Sequence, residues 1–103
     1  MTSSTEQQAA DTRPDDGRPA APVVIYGADW CGDCRRSKRL LDRLGVAYEW
    51  VDLVARPEQT EEVLRRNGGA RSIPVVVFAD GSHLTEPSDP ELSARLSELG
   101  LVR

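Results

Sequence analysis

The chain has 103 residues, enough for one small domain and too few for two ordinary ones. It is 39% hydrophobic, or about 47% with the 8 glycines counted, which is the usual globular range. With 13 basic residues against 17 acidic, the net charge of −4 supplies no cationic field for nucleic-acid phosphates. The longest apolar run, Pro74 to Ala79, is far short of the ~20 residues that span a bilayer. Two cysteines cannot build a multi-disulfide scaffold.

Residues 1–21 hold no large aliphatic or aromatic side chain apart from Met1, so little apolar surface offsets the entropy of ordering them. A disordered tail is expected there, with one domain over residues 22–103. The tail has neither the basic start nor the apolar stretch of a secretory signal, so the cytoplasm is the expected compartment, where thiols stay mostly reduced.

Val23-Val24-Ile25-Tyr26, ended by Gly27, is β-rich and apolar, the profile of a buried strand over 22–27. Ser37, Leu40, Leu41 and Leu44 recur at helical spacing among Arg35, Arg36, Lys38, Arg39, Asp42 and Arg43. They predict an amphipathic helix closed by Gly45. A second strand is expected over 46–53, its inward face left ambiguous by Glu49 and by Trp50, which is expected to be partly packed. Pro57 opens a helix with Glu58, Glu61 and Glu62 early, Arg65 and Arg66 late, and Asn67-Gly68-Gly69 as its stop, the charge order a helix dipole favours.

Pro74-Val75-Val76-Val77-Phe78 predicts a central strand with the proline at its start, since proline cannot donate to the ladder. Asp80-Gly81 is a hairpin signal, leading into a short strand through His83 and Leu84. His83 is expected to be a surface strand residue. Ser88-Asp89-Pro90-Glu91 carries cap, proline and acid in the order that starts a helix; Leu92, Leu96 and Leu99 are its buried stripe and Gly100 ends it.

The chemistry concentrates in Cys31-Gly32-Asp33-Cys34. Two cysteines placed at random in this chain would fall three apart roughly 2% of the time. They sit just after a strand and at the first turn of a helix, where the partial positive charge of the free amides favours a thiolate. That thiolate is the nucleophile of disulfide exchange, and a thiol three residues on can attack the mixed disulfide it forms. Cys31, at the open end of the helix, is the expected nucleophile and Cys34 its resolving partner. Structural zinc needs about four ligands, and the chain offers these two thiols and the distant His83. An iron–sulfur cluster shared between two chains and an inert buried pair remain as alternatives. Asp33 and Asp29 oppose a negative charge on the sulfur, against which Arg35, Arg36 and Lys38 could act; as a solvated helix face they would not.

A second element is Arg71-Ser72-Ile73-Pro74. A proline starting a central strand after a Gly-Gly loop is a common place for a cis peptide bond, although on residue statistics alone trans is the commoner form.

The order of a strand, Trp30-Cys31-Gly32-Asp33-Cys34, a helix and then Ser72-Ile73-Pro74 before a strand resembles the glutaredoxin branch of the thioredoxin-like fold. The run Asn67-Gly68-Gly69-Ala70-Arg71-Ser72-Ile73-Pro74, continued through Phe78-Ala79-Asp80-Gly81-Ser82-His83-Leu84-Thr85-Glu86-Pro87-Ser88, is similar to actinobacterial mycoredoxins. The resemblance covers residue 23 to about residue 100. It implies a βαβαββα sandwich, a mixed α/β sheet of about four strands flanked by about three helices. The strands at 22–27 and 46–53 should be parallel across a helical crossover, and those at 74–79 and 82–85 an antiparallel hairpin.

The resemblance also implies an activity, that of a reductase of disulfides between proteins and a low-molecular-weight thiol, in mycoredoxins mycothiol. Cys31 would attack the mixed disulfide and a second thiol molecule would release it, while Cys34 could instead close an internal disulfide. Ser72, Ile73 and Pro74 match the element that holds the substrate backbone, with the proline cis; Arg71 adjoins it and Trp30 would flank the groove. No bound cofactor or metal is expected. The expected partners are thiolated or disulfide-containing proteins and the small thiol, with neither nucleic acid nor membrane, and the chain is expected to be a monomer.

The chain departs from glutathione-using glutaredoxins at Thr85-Glu86-Pro87-Ser88, where those carry Gly-Gly and acidic residues, and this favours another thiol. It departs again at Asp33, where tyrosine is typical. A dithiol electron donor recycled by a flavin reductase and an iron–sulfur-binding module are the alternative functions.

Overall fold

The computed structural model describes residues 21–102, so the tail expected over 1–21 lies outside the described residues except for Ala21. Four strands and three helices follow in chain order: β1 (Val23–Gly27), α1 (Gly32–Leu44), β2 (Glu49–Asp52), α2 (Thr60–Arg66), β3 (Val75–Phe78), β4 (His83–Thr85) and α3 (Asp89–Glu98). The strands form one mixed sheet in the order β2-β1-β3-β4. β1 runs parallel to β2, with Ile25 opposite Trp50, and antiparallel to β3, with Ile25 opposite Val76. β3 and β4 pair antiparallel, Val76 facing Leu84. Both the element order and the strand directions are those expected.

Alternation along β1 and β3 sends side chains to the two faces of the sheet. Val23, Ile25, Val76 and Phe78 pack against Leu40 and Leu41 of α1 and Leu92 and Leu96 of α3. Val24, Val75 and Val77, with Val51 of β2, pack on the other face against Val63 of α2. Helices therefore cover both faces, and β3, buried along its whole length, is the centre of the sandwich.

The structure departs from the sequence reading at the start of the second strand, the exposure of Leu44 and the start of the Pro57 helix. The second strand starts at Glu49 instead of residue 46. Gly45 turns left-handed (φ 74°) after α1; its N–H donates to the Asp42 carbonyl and that of Val46 to the Leu41 carbonyl. This is a Schellman closure, and it commits the chain to a turn before it can extend. Val46 is buried beneath that turn, whereas Leu44, expected on the buried stripe, is 39% exposed. The helix opened by Pro57 begins as a 3-10 turn, Pro57–Gln59, before α2 proper.

The third helix starts as its sequence dictates. The Ser88 hydroxyl accepts from the Glu91 N–H and the Ser88 N–H donates to the Glu91 carboxylate, so two otherwise orphaned donors are satisfied. Among the described residues no helix is long and apolar enough to cross a membrane.

Candidate active site

Cys31 is the N-cap residue of α1, in extended conformation (φ −84°, ψ 119°) directly before the first helical turn. Its own N–H donates to the Ala28 carbonyl and its carbonyl accepts from the Arg35 N–H. The backbone is thus fixed on both sides, while the side chain is only half-buried. Cys34, one turn on, is fully buried, and both residues are free cysteines. Burial pushes the Cys34 thiol up to about 12, an amide interaction at Ala28 pulling the other way and a hydrogen bond with Cys31 adding to the rise. The pair is asymmetric: one sulfur reachable from solvent, the other a buried thiol beneath it.

Gly27 makes that burial possible. A Cβ at this position would lie 2.4 Å from the Cys34 sulfur and 3.1 Å from the Trp50 ring, so only glycine leaves room for both.

The charges around the motif are largely committed to one another. Arg36 donates to the Asp33 carboxylate at 2.9 Å and to the Pro87 carbonyl at 3.3 Å, and its Nε lies 3.4 Å from Asp89 at the start of α3. Lys38 lies 3.8 Å from the Asp29 carboxylate and 3.9 Å above the centre of the Trp50 ring. Arg35 donates to the Asp29 carbonyl at 2.7 Å. Arg36 and Lys38 therefore compensate Asp33 and Asp29, and with Arg35 they tie α1 to the loops around it.

A groove of about 310 Å³ opens beside the motif on the α2 side of the sheet, lined by Ala28, Trp30, Leu53, Val54, Thr60, Val63, Arg71 and Ile73. Of the residues singled out in the sequence, Trp30, Arg71 and Ile73 line it. Trp30 and Val54, exposed by 72% and 67%, form apolar lips, and Arg71 is the one cation of the lining. Ser72 and Pro74 are not part of that lining; Ser72 is half-buried and Pro74 fully buried.

The Ile73–Pro74 peptide is cis. Among the described residues the Ile73 backbone N–H and carbonyl make no hydrogen bond, so both remain for an extended segment lying across them.

Asn67 holds this loop, a role the sequence reading missed. Its amide donates to the Ser72 carbonyl at 2.9 Å and accepts from the Thr85 hydroxyl at 2.6 Å, joining the loop before Pro74 to β4. The Pro74 carbonyl in turn accepts from the Glu86 N–H. As an Asn before Gly-Gly the residue reads only as a helix stop, and its partners lie 5 and 18 residues away. Leu53, Val54 and Thr60 were missed for a similar reason, since nothing local marks the turn after β2 as facing the motif. His83 is half-buried and its Nδ1 lies 3.2 Å from Arg66, away from the cysteines. Among the described residues no cluster of three or more His, Cys, Asp or Glu could hold a metal.

Comparison with known proteins agrees with this geometry. The glutaredoxin family model matches residues 23–84, spanning both the cysteine motif and the cis-proline element. A Mycobacterium tuberculosis protein named as a glutaredoxin is 43% identical over 79 residues, 77% of this chain and 94% of its own length. Mycoredoxin 1 of Corynebacterium glutamicum is 38% identical over 77 residues, 75% of this chain and 95% of its own. Among solved structures, the glutaredoxin of Archaeoglobus fulgidus superposes with a TM-score of 0.64 at 30% identity, covering 73% of this chain and 85% of that one.

Proposed function

The chain belongs to the glutaredoxin family, a family of thiol–disulfide oxidoreductases on the thioredoxin-like fold, and from that premise we propose that it reduces mixed disulfides between proteins and mycothiol in the cytoplasm. The observation that carries the reading is the asymmetry of the cysteines, a half-exposed Cys31 at a helix start above a fully buried Cys34. Cys31, reacting as its thiolate, attacks the sulfur of the small thiol in the mixed disulfide. The protein leaves as a thiol and Cys31 carries the adduct. A second molecule of the small thiol then releases Cys31, forming the symmetric disulfide. Cys34 offers the other exit, displacing the adduct to close an internal disulfide.

The substrate lies across Ser72, Ile73 and Pro74. The free Ile73 backbone groups pair with its extended backbone, while Trp30 and Arg71 contact the body of the adduct in the groove. Mycothiol is favoured over glutathione by the likeness to mycoredoxin 1 and by Thr85-Glu86-Pro87-Ser88 standing where glutathione-using relatives carry Gly-Gly and acidic residues. No bound cofactor enters the cycle, and a single copy suffices for it.

The test is steady-state reduction of a model mixed disulfide with mycothiol, glutathione or a flavin-dependent reductase as the electron source. Turnover with mycothiol that survives Cys34→Ser is expected. Turnover only with the reductase, and only with both cysteines present, would replace this reading by that of a dithiol electron donor.

A further inference from the structure

Gly27 and Trp50 lie beside the buried Cys34, and the exchange chemistry does not itself require either of them. The Cys34 sulfur and the Trp50 ring are neighbours of one point, the position a Gly27 Cβ would take, at 2.4 Å and 3.1–3.2 Å. That places them in the range of sulfur–aromatic contact, where a sulfur about 5 Å from a ring is typical. Trp50 projects from β2 into the α1 and α3 side of the sheet, where it packs against the main core. Lys38 covers a face of the same ring, its ammonium 3.9 Å above the ring centre and 3.8 Å from the Asp29 carboxylate. Asp29, two residues before Cys31, thus holds Lys38, and Lys38 holds the indole whose edge lies beside the Cys34 sulfur.

We propose that Trp50, held by Lys38, is a positioning residue for Cys34, and that it biases the adduct on Cys31 toward release by an external thiol and away from internal closure. This rests on the resolving role given to Cys34 above. In closure the Cys34 sulfur, having given up its proton, attacks the Cys31 sulfur of the adduct. The Cys31–Cys34 bond forms, the bond from Cys31 to the small thiol breaks, and the departing thiolate takes up the proton. The cysteine pair is oxidised as the adduct is reduced. An indole against Cys34 keeps water from it and so keeps it a thiol, which cannot attack. Glycine at 27 and a cation over the ring are the two conditions that let a side chain as large as tryptophan sit there.

The experiment loads Cys31 with one thiol adduct, removes free thiol, and follows the internal disulfide by acid quench and mass. Closure about tenfold faster in Trp50→Leu than in the native chain is expected, with its pH profile displaced to lower pH. Trp50→Phe should restore slow closure, and Lys38→Met, which keeps the fold, should accelerate it less than Trp50→Leu. In the otherwise native chain carrying Trp30→Phe, the remaining indole emission should change when the disulfide forms. Identical closure rates and pH profiles in Trp50→Leu, Lys38→Met and native chains would overturn the proposal while leaving the resolving role of Cys34 intact. Absence of closure in every chain, native included, would instead remove that resolving role and this inference with it.

Discussion

The two faces of the sheet are built from different side chains. The face toward α1 and α3 is filled by Val23, Ile25, Leu40, Leu41, Phe78, Leu92 and Leu96, all at 4% exposure or less. The face toward α2 is built almost wholly of valines (Val24, Val51, Val63, Val75, Val77), and its margins, Tyr26, Leu53 and Ile73, are only partly buried. A seven-residue helix cannot cover that face to its end, and the uncovered part beside Cys31 is the groove. Both faces contribute packing energy; only the second gives up burial at its margin, leaving the groove beside the cysteine motif.

The difference can be broken from either side. Phe78→Ala, in the sealed face, should lower stability by about 3–5 kcal/mol while leaving turnover per folded molecule unchanged. Denaturant unfolding and single-point kinetics on the same sample check both parts. Val54→Ser, on the exposed lip of the groove, should leave stability within about 0.5 kcal/mol of native and raise KM for the mixed disulfide by up to about tenfold. A comparable loss of stability in the two variants would mean that the faces do not divide the labour.

A smaller effect comes from the ion cluster on α2. Burial pushes the Glu62 carboxyl up, but hydrogen bonds from Arg65 and Arg66 outweigh it and hold the group below its ordinary value of 4.5. A carboxyl lowered in the folded state stabilises the fold fully above its unfolded value, and that contribution is lost as pH falls through the folded one. Glu62→Gln should therefore cost about 0.5–1 kcal/mol at pH 7, and the gap to native should close as pH drops below 4.5. A gap that persists at pH 2 would assign the loss to packing instead.

Much of this architecture is legible in the chain itself because its local signals agree with one another. The apolar run at 74–78 predicts a central strand, Asp80-Gly81 signals a hairpin turn, and Ser88 to Glu91 carry cap, proline and acid in the order that starts a helix. The cysteine spacing at a strand–helix junction pointed to the candidate site without any tertiary information. What stayed hidden depends on contacts distant in sequence. The late start of β2 follows from hydrogen bonds that close α1 at Gly45, and no propensity in Val46-Ala47-Tyr48 announces them. The roles of Asn67 and Gly27 are visible only once Ser72, Thr85, Cys34 and Trp50 have been brought beside them.

The asymmetry of the two cysteines is tested most directly by trapping. Each single variant, Cys31→Ser and Cys34→Ser, is exposed to a mixed disulfide of the small thiol at neutral pH, quenched with acid, and mapped by peptide mass. The adduct should appear on Cys31 in the Cys34→Ser chain and be absent from the Cys31→Ser chain, whose remaining sulfur is buried and un-ionised. An adduct forming on Cys34 at a comparable rate would contradict the assignment of the nucleophile.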